Sequence, residues 1–151
     1  MKFGFLFVAG FCLTLTASLL VLSRALSHSA AAVVDMRGMR WEVVDTDEGR
    51  ERGLSGREKM GDGDGMLFVF PKRGLYPFWM KDMSFDLDIV WLDGETVVDV
   101  ATLPRSIQAD GSRAAWVSRH VPLRLADRVL EMKAGLARAY HLGRGTRVIL
   151  P

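Results

Sequence analysis

Past residue 12 the chain contains no cysteine, and the single Cys12 lies inside an apolar run near its start. Disulfides and thiol chemistry are thereby excluded for everything downstream. Histidine is almost as scarce. His28, His120 and His141 are far apart and show no metal-ligand spacing, so nothing suggests a zinc site. An excess of one charge sign is missing as well. Lys2 and Arg24 leave with the first 30 residues and no acid does, so 20 basic against 18 acidic side chains becomes 18 against 18. A neutral domain carries no electrostatic footprint for nucleic acid. Internal repeats and low-complexity tracts are also absent, and no cofactor is implied.

What the chain does have at its start is hydrophobicity. Phe3 to Leu22 is apolar except for Gly4, Gly10, Thr14, Thr16 and Ser18, with Lys2 before it and Ser23-Arg24 after it. The run is longer than the ~7–15 residues of a signal-peptide core and close to the ~20 that span a bilayer. Small residues suited to cleavage follow, at Ser23-Arg24-Ala25 and Ser29 to Ala32. Residues 1–32 therefore form either a cleaved export signal or a retained membrane anchor, with a tether. Both alternatives place the remainder across the cytoplasmic membrane, periplasmic or anchored with the domain outside. Residues 33–151 suffice for one hydrophobic core and not comfortably for two.

Taken in order, Met39 to Val44 predicts a first strand. Asp45 or Thr46 caps a short helix whose first turn carries Asp47 and Glu48, where carboxylates favour the positive end of the dipole, and Gly53 ends it. Gly61 to Gly65 predicts a loop. Met66 to Phe70 predicts a buried strand that Pro71 closes. An extended piece follows at 76–81, then a strand at 87–92, a hairpin turn at Asp93-Gly94 and its partner strand at 95–100. Residues 105–126 show neither period and predict a flap over the central stretch or a disordered insertion. A strand at 128–132, a helix at 134–142 and a last strand at 146–150 complete the chain. The pattern predicts an α+β domain, mostly antiparallel β, closed or half-closed into a small barrel with two short helices. An N-terminal apolar signal or anchor helix precedes it.

Information concentrates between Gly65 and Asp88. Four segments carry a family likeness: Glu51-Arg52-Gly53-Leu54 with Arg57; Gly65 to Phe70; Phe78-Trp79-Met80-Lys81 followed by Leu87-Asp88; and Leu130-Glu131-Met132 with Ala134-Gly135. On these the chain resembles domain-of-unknown-function family number 192, an uncharacterised bacterial and archaeal family. Two positions depart from its pattern: Asp82-Met83 stands where the family continues with Asn-Thr, and Gly145-Thr146 where it has Gly-Asp. The resemblance implies a compact β-rich fold and frequent export or anchoring. It implies no activity.

Candidate site residues come from that central stretch. In an extended segment Trp79 and Lys81 share one face while Phe78 and Met80 take the other. The first pair offers an aromatic plate and an ammonium to a cleft; the second fills the core. Arg57 and Arg73 would add charge at the rim, and Asp88 would pair with Lys81 in the empty site. Asp86 and Asp88 lie two apart, about 6.5–7 Å in a strand, a separation at which paired carboxylates can cleave a glycoside. Asp86 in a turn and Asp88 bonded to backbone is the plainer alternative. Asp62 and Asp64 lack the further ligands of a calcium loop, since Met66 and Arg73 stand where oxygens are needed. Met60, Met66, Met80 and Met83 have no neighbouring His or Cys and serve as core filler rather than copper ligands.

Three functions follow in order. The first is an exported binding or accessory module, membrane-tethered if residues 3–22 are retained, that takes a small molecule or envelope polymer at Trp79 and Lys81. The second is a small envelope hydrolase using Asp86 and Asp88. The third is a structural protein whose aromatic residues are all core.

Overall fold

A computed structural model describes residues 31–108, 110–115 and 117–151. The apolar run at 3–22 lies outside the described residues. Among the described residues no helix is long and apolar enough to cross a membrane.

Among the described residues, nine strands and two short helices follow in the order β1 (Val33–Asp35), β2 (Arg40–Val44), α1 (Asp47–Arg52), β3 (Asp64–Gly74), β4 (Phe78–Trp79), β5 (Leu87–Asp93), β6 (Thr96–Leu103), β7 (Arg119–His120), β8 (Ala126–Lys133), α2 (Leu136–Ala139) and β9 (Arg147–Ile149). Seven strands form one sheet in the order β1-β9-β6-β5-β8-β3-β2, curled into a half-barrel, and β4 and β7 form a separate two-stranded ribbon. The centre of the sheet is antiparallel, with Phe68 opposite Val129 and Glu131 opposite Ile89. Both edges depart from the expectation, because β1 runs parallel to β9 and β2 parallel to β3.

The central strands are apolar on both faces, so the sheet carries two cores. Phe68, Ile89, Trp91 and Val129 point to one side and pack against Leu54, Phe78, Met80 and Met83. Leu67, Val90, Leu130 and Met132 point to the other and pack against Ala137, Leu142 and Val148. Side chains of this size each stabilise by about 1.5–3 kcal/mol when fully buried. The first core underlies the site.

Several local expectations need correction. β3 continues through Pro71 to Gly74, because its register with β8 shifts between Val69 and Gly74 and the missing N–H falls in that irregularity. β3 also begins inside the expected glycine loop. A Cβ on Gly65 would lie 2.2 Å from the Trp41 ring, so here glycine admits the indole rather than breaking the strand. The helix expected over 134–142 shrinks to four residues between Gly135 at φ 98° and His141 at φ 54°. By contrast, α1 starts and stops where the sequence places it. The Thr46 hydroxyl accepts from Gly49 N at 3.2 Å, and Gly53 takes φ 49° past the last turn.

The connection from 104 to 125 is tied to the domain. Its β7 pairs with β4, setting Phe78 opposite His120 and Trp79 opposite Arg119. Buried Asp99 of β6 pins the segment beyond it, accepting from His120 Nε2 at 2.9 Å, Arg144 Nη2 at 2.8 Å, Leu123 N at 3.4 Å and Val100 N at 3.1 Å. Burial alone would raise this carboxyl. The donors outweigh it and hold Asp99 near 2, against an ordinary 3.8. The stability it contributes is present above about pH 4 and lost as pH falls through 2. Acid titration of the His120 ring signals is expected to show Asp99→Asn without the transition that the native chain displays in that window.

Candidate functional site

Two pieces of chain flank a trough on the first core face. On one side the end of α1 continues through Gly53, Leu54 and Ser55 across β3 and β8. On the other lie Tyr76, Pro77, Phe78 and Trp79 from the start of the ribbon. Between them is a cleft of about 280 Å³. Its walls are aromatic. Phe68 meets Phe78 edge to face at 4.9 Å between centroids, and Phe70 stacks on Tyr76 at 3.6 Å. Arg50 lies 5.3 Å over Phe70 and donates through Nη1 to the carbonyls of Asp45 (2.5 Å) and Val69 (2.7 Å) and through Nη2 to Asp47 (2.6 Å). Trp79 stands at the rim with half its surface exposed.

A carboxyl lies within these apolar walls. Glu131, in the middle of β8, is buried, lines the cleft, and has an Oε2 with no hydrogen-bond partner. Burial pushes its carboxyl up to about 8 from 4.5 and outweighs the opposing Arg57 charge. At neutral pH it is therefore mostly protonated, with one O–H to donate and one carbonyl oxygen to accept. Gly53 leaves its approach open: a Cβ there would sit 3.4 Å from the Phe68 ring and 3.8 Å from Glu131 Oε2.

The expected site residues divide. Trp79 lines the cleft, and Phe78 and Met80 are buried behind it as the alternation requires. Lys81 is exposed one step outside, beside Trp79, Glu48, Glu51 and Asp82 in a shallower groove. Arg57 does not line the cleft; it borders a separate groove and pairs with Glu42 at 2.5 Å. Arg73 is not at the rim, because the β3 extension carries it to the far end of the sheet, where it pairs with Asp93.

The two aspartates do not form an acid–base pair. Asp86 precedes β5 and accepts from Arg105 N (2.9 Å) and Nε (3.0 Å), bonds that hold it in its charged form. Asp88 is enclosed within β5 and accepts from Thr102 Oγ1 at 2.6 Å and from the backbone N–H groups of Gly135 and Ala137 at 2.8 Å each. Its oxygens are occupied in fastening α2 to the sheet. The expected partner Lys81 is not among them. Among the described residues no three His, Cys, Asp or Glu side chains converge as a metal site would require.

Glu131 was missed as a site residue, although its sequence carries a signal. In β8 it occupies the same face as Val129, between Leu130 and Met132, so a strand buried on both faces has one acid pointing inward.

The family model of DUF192, described as "Uncharacterized ACR", matches residues 30–150. The chain belongs to that family. Each of the four segments that carry the likeness supplies part of the cleft: Glu51 to Leu54, Phe68 with Phe70, Phe78 with Trp79, and Glu131. Two crystal structures share the fold of this DUF192 chain. One is a protein of unknown function from Novosphingobium aromaticivorans, 24% identical over 72% of this chain and 73% of that one, with a TM-score of 0.59. The other is described as a candidate transcription regulator from Sinorhizobium meliloti, 23% identical over 71% and 78%, with a TM-score of 0.58. No curated protein matches the chain.

Proposed function

We propose that this DUF192 domain is an exported binding module. Its cleft takes a small uncharged molecule that combines a flat apolar ring with a hydrogen-bond acceptor. The unpartnered Glu131 carboxyl on an aromatic floor carries this reading. An unsatisfied buried polar group costs roughly 1–3 kcal/mol, and a ligand acceptor would recover that cost. Trp79 at the rim supplies a ring face for stacking, and the neutral carboxyl supplies the donor. Pockets of this character are mostly apolar with a few placed polar groups. Lys81, just outside, would meet a polar substituent that projects from the mouth. Asp86 and Asp88 bond elsewhere and neither lines the cleft, so the hydrolase reading that rests on them is set aside.

Three probes of one ring size separate the ligand classes: benzamide, benzoate and benzylammonium, followed by chemical-shift titration of the full chain. Benzamide is expected to bind best, with affinity falling as pH rises through about 8, where Glu131 ionises. Glu131→Gln keeps a donor and is expected to bind benzamide without that pH dependence. Glu131→Leu is expected to lose about tenfold, the scale of one buried hydrogen bond. Trp79→Ala should weaken benzamide while moving Tm by no more than a few degrees, as exposed positions do. Preference for benzylammonium would make this a cation site. Absence of saturable shifts in the cleft with all three probes would end the proposal.

A further inference from the structure

The strand registers place several exposed groups at one end of the sheet. Val33, where the chain enters the domain, lies opposite Arg147. Arg147 lies opposite Thr96, and Thr96 opposite Asp93. Gly94 N donates to Asp127 at 2.8 Å, and Ala126 lies opposite Gly74. The start of β1, the β5–β6 turn, the start of β8 and the end of β3 therefore share one edge. Large aliphatic side chains stand free along it: Val33 at 58% exposure, Leu75 at 51%, Leu123 at 75% and Leu125 at 46%. The strand ends and turns that meet there carry the basic residues Lys72, Arg73, Arg124, Arg128 and Arg147 and the acids Asp93, Glu95 and Asp127. Asp93 and Glu95 are already paired with Arg73 and Arg147. A neutral domain thus concentrates positive charge and exposed leucine where its tether arrives.

We propose that this end of the domain docks on an anionic membrane surface, leucines among the headgroups and Lys72 and Arg124 against lipid phosphates. The proposal rests on the reading of residues 3–22 as a membrane segment and is independent of the cleft. Residues 23–32 reach at most about 35 Å when extended. Six strands from β1 to β3 span roughly 24 Å at the usual strand spacing. A retained anchor would therefore hold this edge within reach of the bilayer. Apolar side chains mixed with Lys and Arg are the composition that binds a charged interface.

The test uses the full chain in vesicles. Cys12→Ser removes the only native thiol, and an environment-sensitive dye is attached at Leu123→Cys or, as a control, at Lys59→Cys. Lys59 lines a groove beside Asp64 and Arg40, at the opposite end of the strands. In vesicles of phosphatidylcholine with phosphatidylglycerol, the dye at 123 is expected to shift to the blue and be quenched by spin-labelled lipid. The dye at 59 should not respond. Arg124→Gln should lower the docked fraction relative to the undocked about fivefold, the usual effect of one basic residue near such a surface. Equal responses at 123 and 59 overturn the proposal. So does a blue shift at 123 that depends on protein concentration rather than lipid, which would mean a second copy covers the patch. If the chain is recovered without its apolar segment, the soluble form is added to the same vesicles. Sedimentation with phosphatidylglycerol vesicles then supports docking while ending the tether reading, and failure to sediment overturns docking.

Discussion

Glu131→Gln is expected to stabilise the domain by about 3 kcal/mol at pH 7, a gain produced by replacing the ionisable group in the cleft with an amide that does not titrate. In the folded chain the carboxyl releases its proton only near 8, and in the unfolded chain near 4.5. Below the lower value both states are protonated and the residue contributes no pH-dependent penalty. As pH rises from there the unfolded state ionises freely while the folded state cannot follow. Stability falls across that window, by about 1.4 kcal/mol per pH unit, and levels off once the buried carboxyl ionises as well. Glutamine titrates in neither state. Denaturant midpoints of the two proteins should coincide near pH 4, separate steadily above it, and become parallel beyond 8. Curves that stay superimposed up to pH 8 would mean Glu131 ionises normally and is solvated in the folded state. A native residue this costly fits the pattern in which binding sites retain polarity at the expense of stability.

Asp88→Ala is expected to cost about 3–5 kcal/mol, as removal of one member of a buried charged network does. Three donors lose their acceptor at once: the Thr102 hydroxyl and the N–H groups of Gly135 and Ala137. Two of them open α2, a helix too short to hold together on its own hydrogen bonds. Asp88→Asn should be little better, because one rotamer or the other sets an amide donor against an existing donor. Benzamide affinity, measured where the variants remain folded, should be unchanged, since Asp88 does not line the cleft. An Asp88→Asn protein as stable as the native chain would show that these bonds contribute little and return the residue to consideration as a reactive carboxylate.

Most of the fold was legible because its signals are local. Thr46 and Gly53 bound α1 through capping chemistry, Asp93-Gly94 makes the β5–β6 hairpin, and the period-2 pattern at 78–80 correctly sends Phe78 and Met80 inward. Three features depended on distant partners and were not legible. β1 exists because β9 offers it an edge, β3 survives Pro71 because β8 tolerates a register shift there, and Gly65 lies in a strand because Trp41 covers it. The site followed the same division. Trp79 lines the cleft on the face that alternation assigns to it. Arg73 was misplaced through the early ending assigned to β3, and Asp88 follows the plainer alternative of a backbone-bonded carboxylate rather than pairing with Lys81, with donors 14 to 49 positions away that no local pattern names. Glu131 acquires its character only from walls supplied by α1, β3 and the β4–β7 ribbon. Its inward position in β8 was present in the sequence, but nothing local distinguishes a buried acid from a surface one.

The parallel pairing of β1 with β9 sets an order of events for a chain made from its amino terminus. Val33 to Asp35 emerge first, yet their partners Arg147 to Ile149 are the last strand to be delivered. Ala32 O waits for Arg147 N, and Met36 N waits for Ile149 O. The first strand made therefore stays unpaired while the rest of the domain is made, and this edge of the sheet is sealed only when β9 arrives. A nascent domain stalled before Arg147 would present its own β1 and the bare side of β6 to whatever lies at the exit. Completion of the domain and closure of the sheet are then a single event.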